Sequence, residues 1–211
     1  MNDSEKQKLR FIRERYGAMI QASATHHGHR PAVVAGIMMR ETEGGLSKWC
    51  NPPGPACLGD EGHGHGLMQI DDRSFADYCA SPNWKDPASN IDFACGVLRE
   101  KRAYLEKHFP NLPVEALERA AVAAYNCGEG NVKKELEAGK DVDALTADAD
   151  YSRCALEFAL AYQELLAPPA PMPVPIPASV QPQPGPQQAS AGLWAGLLNL
   201  LMKIFVKQEQ A

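Results

Sequence analysis

Positive charge is in short supply in this chain. Lysine and arginine number 21 against 26 aspartates and glutamates, a formal net charge of −5. A nucleic-acid binder presents a basic face, so this balance gives nucleic acid no support as a partner. It also draws the chain as a whole to no anionic surface, and any such attraction has to be local. No CxxC pair occurs among Cys50, Cys57, Cys79, Cys95, Cys127 and Cys154, which removes the case for a zinc ribbon or a thioredoxin-type redox motif. The opening residues, Met1 to Lys8, lack the apolar stretch of a Sec-type signal peptide. No apolar run reaches the roughly 20 residues that a bilayer span needs.

What is present is the composition of a soluble globular domain, 45% apolar and 22% charged over 211 residues, enough for one ordinary domain with an appendage. Residues 4–23 carry Leu9, Ile12, Tyr16, Met19 and Ile20 at three- and four-residue spacings, which predicts an amphipathic helix. Pro31 opens a strongly apolar helix that delivers Arg40 and Glu41 at its end and stops at Gly44 and Gly45. Residues 46–66 read as loop, with short extended segments near Gly66–Asp71. Helical spacing returns over Asn90–His108, Pro113–Tyr125 and Ala149–Leu166. The expected domain, residues 1–166, is mainly α with a small β region.

The character changes at Ala167. Residues 167–190 hold nine prolines between Pro168 and Pro186, a composition suited to an extended polyproline II spacer. Residues 191–208 are dominated by Leu, Trp, Ile and Phe. On a helix, Gly192, Gly196, Asn199, Lys203 and Lys207 form one narrow stripe. So apolar a helix must lie in a membrane interface, insert, self-associate or dock. Membrane contact through residues 191–207 is the leading expectation.

Three short segments carry candidate chemistry: Ile37 to Gly45 with Arg40-Glu41-Thr42, Leu58 to Phe75 with Gly66-Leu67-Met68-Gln69, and Ala120 to Val132 with Tyr125-Asn126. A carboxyl closing an apolar helix is desolvated and stays protonated near neutrality. Such an acid is what a glycosidic oxygen needs in order to leave. Asp60, Asp71 and Asp72 stand in a glycine-rich segment and offer a second carboxylate. The phenol of Tyr125 and the amide of Asn126 suit the hydroxyl and acetamido groups of an amino sugar. Taken alone, a helix-terminal glutamate is usually a cap or a surface charge; the combination is what points to chemistry.

In this order the three segments resemble the goose-type lysozymes and soluble lytic transglycosylases, over roughly residues 5–166. The resemblance implies a lysozyme-like α+β fold and cleavage of peptidoglycan. Glu41 would be the catalytic acid, and Asp60 and Asp71 would position or activate water. Gln69, Tyr125 and Asn126 would contact sugar, and Tyr151 would stand near the acid. Neither a cofactor nor a metal is called for. Three departures stand out: a long segment between Glu41 and Asp60 holding Cys50 and Cys57, and Glu43 and Phe75 where histidines are common.

Both Asp60 and Asp71 being present favours hydrolysis with inversion over transglycosylation to 1,6-anhydro ends. The substrate bond would be the β-1,4 link from MurNAc to GlcNAc. Six cysteines allow up to three disulfides in 15 pairings, or six buried thiols; action outside the cytosol favours disulfides. Reaching the wall without a Sec signal would need a holin or a secretion machine. His26, His27, His29, His63 and His65 read as polar positions rather than metal ligands. Lys101-Arg102 and Lys133-Lys134 read as solvated helix charges. Two readings of other classes compete: a silent glycan-binding module, and a carrier for a membrane-disrupting tail.

Overall fold

A computed structural model describes residues 1–166. The proline-rich segment 167–190 and the apolar segment 191–208, with the membrane contact expected of it, lie outside the described residues. Among the described residues, seven α-helices and three two-residue strands follow in the order α1 (Asp3–His27), α2 (Pro31–Thr42), β1 (Leu58–Gly59), β2 (Gly64–His65), β3 (Ile70–Asp71), α3 (Ala76–Ala80), α4 (Pro87–His108), α5 (Val114–Cys127), α6 (Glu129–Glu137) and α7 (Tyr151–Leu166). The expected mainly helical lysozyme-like α+β fold is what forms. The strands pair antiparallel in the order β1-β2-β3, with Leu58 opposite His65 and Gly64 opposite Asp71.

Local chemistry sets the helix ends. Asn2 and Glu5 form a reciprocal capping box on α1, and Gly28 closes that helix in the left-handed conformation. Pro31 starts α2 where a missing N–H costs nothing. α1 and α5 run on to His27 and Cys127, past their expected ends, because caps rather than apolar periodicity decide where a helix stops. The sequence pattern announces neither α3 nor α6. Both are short, and α6 is polar on most sides, so neither leaves a clear apolar stripe.

The core is built around α2, which is buried on nearly every side. Leu9, Ile12, Tyr16 and Ile20 of α1, Val34, Ile37 and Met38 of α2, Ile91 and Leu98 of α4, and Tyr151, Ala155 and Tyr162 of α7 form one apolar cluster. Each fully buried side chain of this size contributes roughly 1.5–3 kcal/mol. α2 and α7 meet backbone to backbone: a Cβ placed on Gly36 would stand 2.1 Å from the Ala155 carbonyl oxygen. A smaller cluster, Leu105, Leu117, Ala120, Ala124 and Val132, fixes α5 and α6 on the end of α4.

The long segment after α2 folds back on that helix end. The Gly54 amide donates to the Gly45 carbonyl at 2.8 Å, and Cys50 is joined to Cys57. One disulfide therefore forms among the described residues. Cys79 and Cys95 are buried thiols, and Cys127 and Cys154 are partly buried ones. No described helix is long and apolar enough to cross a membrane.

Candidate active site

All three sequence segments converge on the backbone of one loop. Thr42, at the end of α2, donates its hydroxyl to the Leu67 carbonyl at 2.7 Å. Tyr125, on α5, donates its phenol to the Met68 carbonyl at 2.8 Å. Asn90, fully buried on α4, accepts from the Met68 amide at 2.9 Å and donates to the His65 carbonyl at 3.1 Å. Gly66 bends the chain at φ +78°, where a Cβ would strike the Asn90 amide. The Gly66-Leu67-Met68-Gln69 element is thus a pinned platform, held by a residue from each of three helices.

Glu41 lies one residue before the end of α2 and is partly buried. Desolvation raises its carboxyl from its ordinary value of 4.5 to about 7; the hydrogen bond from Tyr151 and the nearby Arg40 charge offset only part of that rise. Tyr151, buried at the start of α7, donates its phenol to Glu41 Oε1. The ring of Tyr151 also faces the Arg40 guanidinium, 5.9 Å from its centroid, while Arg40 pairs with Asp148 at 3.0 Å and Asp150 at 3.3 Å. Asp143 anchors the start of α7, accepting from the Ser152 amide at 2.8 Å, the Ser152 hydroxyl at 2.7 Å and the Arg153 amide at 3.2 Å. Burial first, and then the Glu41 charge, push the Tyr125 phenol well above its ordinary value.

A cavity of about 260 Å³ is lined by Gln69, Asp71, Ser74, Phe75, Val97, Lys101, Tyr125, Asn126, Cys127 and Gly128 among others. Four of the seven expected site residues therefore line one space: Gln69, Asp71, Tyr125 and Asn126. Glu41 and Tyr151, paired with each other, do not line it. All four are partly committed inside the protein, Tyr125 to the Met68 carbonyl and Asp71 to Arg73 and Ser74. The Gln69 amide nitrogen donates to the Gly66 carbonyl at 2.7 Å and its oxygen packs against Gly59 and Gly64. The Asn126 oxygen accepts from the Ala147 amide at 2.9 Å, which leaves its NH₂ for a ligand.

Asp60 does not line the cavity. It starts a single 3-10 turn after β1 and is bridged to Asp71 by Arg73, whose guanidinium contacts both carboxylates. Burial alone would raise the Asp71 carboxyl; the Arg73 hydrogen bonds, its backbone N–H and the Ser74 hydroxyl outweigh that and hold it below its ordinary value. Sequence reasoning does not single out Arg73, since no periodicity marks an exposed arginine in a turn.

The histidines and lysines divide. His63 and His65 both contact Asp72, at 2.8 and 3.2 Å, and brace the β2–β3 turn. No group of three or more metal-ligating side chains stands together among the described residues. Lys101 departs from the solvated-charge expectation: its side chain is only 16% exposed, it lines the cavity, and it pairs with Glu129 at 2.7 Å. Its spacing from Val97 and Leu105 puts it on a buried stripe of α4, and that is the signal that could have found it. The two residues that replace histidines have structural roles: Glu43 pairs with Lys8 at 2.6 Å, and Phe75 packs edge-on against Phe93.

A carboxyl raised by desolvation at the end of a buried helix, paired with a tyrosine, together with a polar cavity that Gln69, Asp71, Tyr125 and Asn126 line, is what a lysozyme-like glycoside hydrolase requires. The family model described as "Lysozyme g" matches residues 7–164. The chain is 31% identical over 156 residues to a lysozyme g of Takifugu rubripes, covering 71% of this chain and 75% of that one. To the lysozyme g of Casuarius casuarius it is 27% identical over 154 residues, 72% of this chain and 74% of the relative. A "Glycine, glutamate and proline-rich protein" of Lottia gigantea is 33% identical over 148 residues, 68% of this chain and 33% of the relative. The chain belongs to the goose-type lysozyme family, lysozyme g. It is a lysozyme-type glycoside hydrolase whose substrate class is peptidoglycan.

Proposed function

We propose that the protein is a muramidase that hydrolyses the β-1,4 bond between MurNAc and GlcNAc with inversion. The observation that carries this reading is Glu41, a carboxyl held by the Tyr151 phenol at the end of a buried helix and raised to about 7. At neutral pH a large fraction of Glu41 is protonated and can give its proton to the departing sugar oxygen. Inversion then needs a carboxylate on the far side of the ring with room for a water, an arrangement with carboxyls roughly 6.5–9.5 Å apart. Asp71 lines the cavity, and Arg73 keeps it ionised. In this reading it orients the water and takes its proton, with Asp60 supporting it through the shared guanidinium. Tyr125 and the free NH₂ of Asn126 contact the sugar from the α5 side, and Gln69 shapes the floor.

One observation favours the lytic transglycosylase alternative. Both water-side carboxylates are already engaged by Arg73, and Asp60 stands off the cavity. A sugar hydroxyl would then be the nucleophile and leave a 1,6-anhydro end. Digestion of purified peptidoglycan by wild type and Glu41→Gln, read by mass spectrometry of the muropeptides, separates these. Reducing ends that vanish in the variant support the muramidase; anhydro ends move the enzyme to the transglycosylases. A folded wild type that releases nothing supports the glycan-binding module instead. We extend the proposal to membrane contact through residues 191–207, on their apolar pattern alone; the full chain should sediment with anionic lipid vesicles.

A further inference from the structure

Among the described residues, Lys101 is the one cationic side chain that lines the cleft cavity. It reaches that position because α4 places it in line with Val97 and Leu105 on a face that packs inward. An ammonium has three N–H donors. One goes to Glu129 Oε2 at 2.7 Å, and no second acceptor among the described residues contacts the nitrogen. Glu129 is 37% exposed at the first residue of α6, directly after Gly128, which also lines the cavity. The remaining lysine donors are thus available to whatever occupies the cleft. The chain as a whole is acidic, so attraction to an anionic polymer has to come from such a local charge.

We propose that Lys101 is a specificity-determining residue that takes a carboxylate of the bound glycan, with Glu129 as the counter-ion it gives up or shares on binding. The inference rests on the muramidase reading, because that substrate class carries carboxylates at two places. One is the lactyl group of the muramyl sugar where no peptide is attached; the other is the stem peptide where one is. A neutral amino-sugar oligomer offers neither. Lys101 therefore selects for the muramyl, acid-bearing repeat over a plain GlcNAc chain, and Glu129 keeps the buried cation paired while the cleft is empty.

The test measures binding without turnover, by calorimetric titration of the full chain carrying Glu41→Gln. The probes are a peptide-free (GlcNAc–MurNAc)₂ tetrasaccharide, the same sugar with its lactyl carboxylates converted to amides, and the peptide-bearing tetrasaccharide. The acid form should bind at least about tenfold more tightly than the amide, in line with a charge-assisted hydrogen bond. Adding Lys101→Met should abolish that preference, and Lys101→Arg should restore part of it. Glu129→Gln should act in the opposite sense, tightening the acid form and leaving the amide unchanged. A preference that survives for the peptide-bearing probe alone assigns the carboxylate to the stem peptide.

Equal weakening of acid and amide probes in Lys101→Met would make the lysine a packing residue and overturn the inference. So would an unchanged preference in both Lys101→Met and Glu129→Gln, the second of which guards against a folding defect in the first. Wild-type turnover of purified wall is scored separately. Turnover without charge preference sinks this inference alone, whereas charge preference without turnover sinks the muramidase reading alone. Absence of binding to any probe sinks both.

Discussion

Replacing Glu41 by glutamine should make the protein more stable at alkaline pH while removing its activity. The carboxyl sits at about 7 in the fold against an ordinary 4.5, and each tenfold change in proton affinity is worth about 1.4 kcal/mol. Ionising Glu41 in the fold therefore costs about 3–4 kcal/mol at most, and about 2 kcal/mol once its partial solvent access is discounted. The sign follows from which state holds the proton more tightly. Below about pH 4.5 the group is neutral in both states and no cost arises. As pH rises from 4.5 to 7 the unfolded chain ionises first, so the native state loses stability, and above 7 the loss is complete. Glutamine has no proton to lose in this range. Thermal melts of wild type and Glu41→Gln between about pH 5 and 9 should diverge in favour of the variant through pH 7 and then run parallel. For a domain of this size about 2 kcal/mol is a Tm gap of roughly 4–8 °C. The lost carboxyl–Tyr151 contact shifts the two curves relative to each other at low pH, and only the change in gap matters. Curves that stay parallel across the whole range would show that Glu41 titrates normally and would remove the physical basis for its role as acid.

Tyr151→Phe removes a hydrogen bond that lowers the Glu41 carboxyl, so the alkaline limb of kcat/KM should move to higher pH; a limb that stays in place refutes the contact's role. Arg73→Met releases the Asp71 carboxylate from the group that holds it down. The acid limb of the same profile should move up in pH, with Arg73→Lys reversing part of the change, and an unmoved limb would exclude Asp71 as the base. Gly36→Ala puts a Cβ 2.1 Å from the Ala155 carbonyl and 3.0 Å from the Ala159 amide nitrogen. Backbone atoms cannot swing aside, so denaturant melts should show a loss of about 1–3 kcal/mol or more, and an unchanged midpoint would refute the close packing of α2 on α7.

The long helices are legible because burial on one face writes a 3.6-residue apolar period into the chain. Leu9, Ile12, Tyr16 and Ile20 show it plainly and all are buried. The strands are barely legible, since two residues each carry no period; their glycines are needed because the Gln69 side chain lies across them. The pairing of Glu41 with Tyr151 spans 110 residues and comes from resemblance to a family, not from spacing. Asn126 reads as a sugar contact, but half its amide ties α5 to the Ala147 amide, a bond no local pattern announces. Lys101 reads as a surface charge only when it is paired with Arg102; set against Val97 and Leu105, it falls on their inward stripe.

The backbone contact between α2 and α7 gives the two halves of the site unequal freedom to evolve. Glu41 and Tyr151 sit on two helices in close backbone contact at Gly36, so their geometry changes only if the core changes. The carboxylates of Asp60 and Asp71 sit after and in two-residue strands and are joined by one exposed arginine. In the mechanism we propose, a lineage built on this frame can trade water attack for attack by the sugar's own hydroxyl by changes around Arg73, keeping the Glu41–Tyr151 half intact.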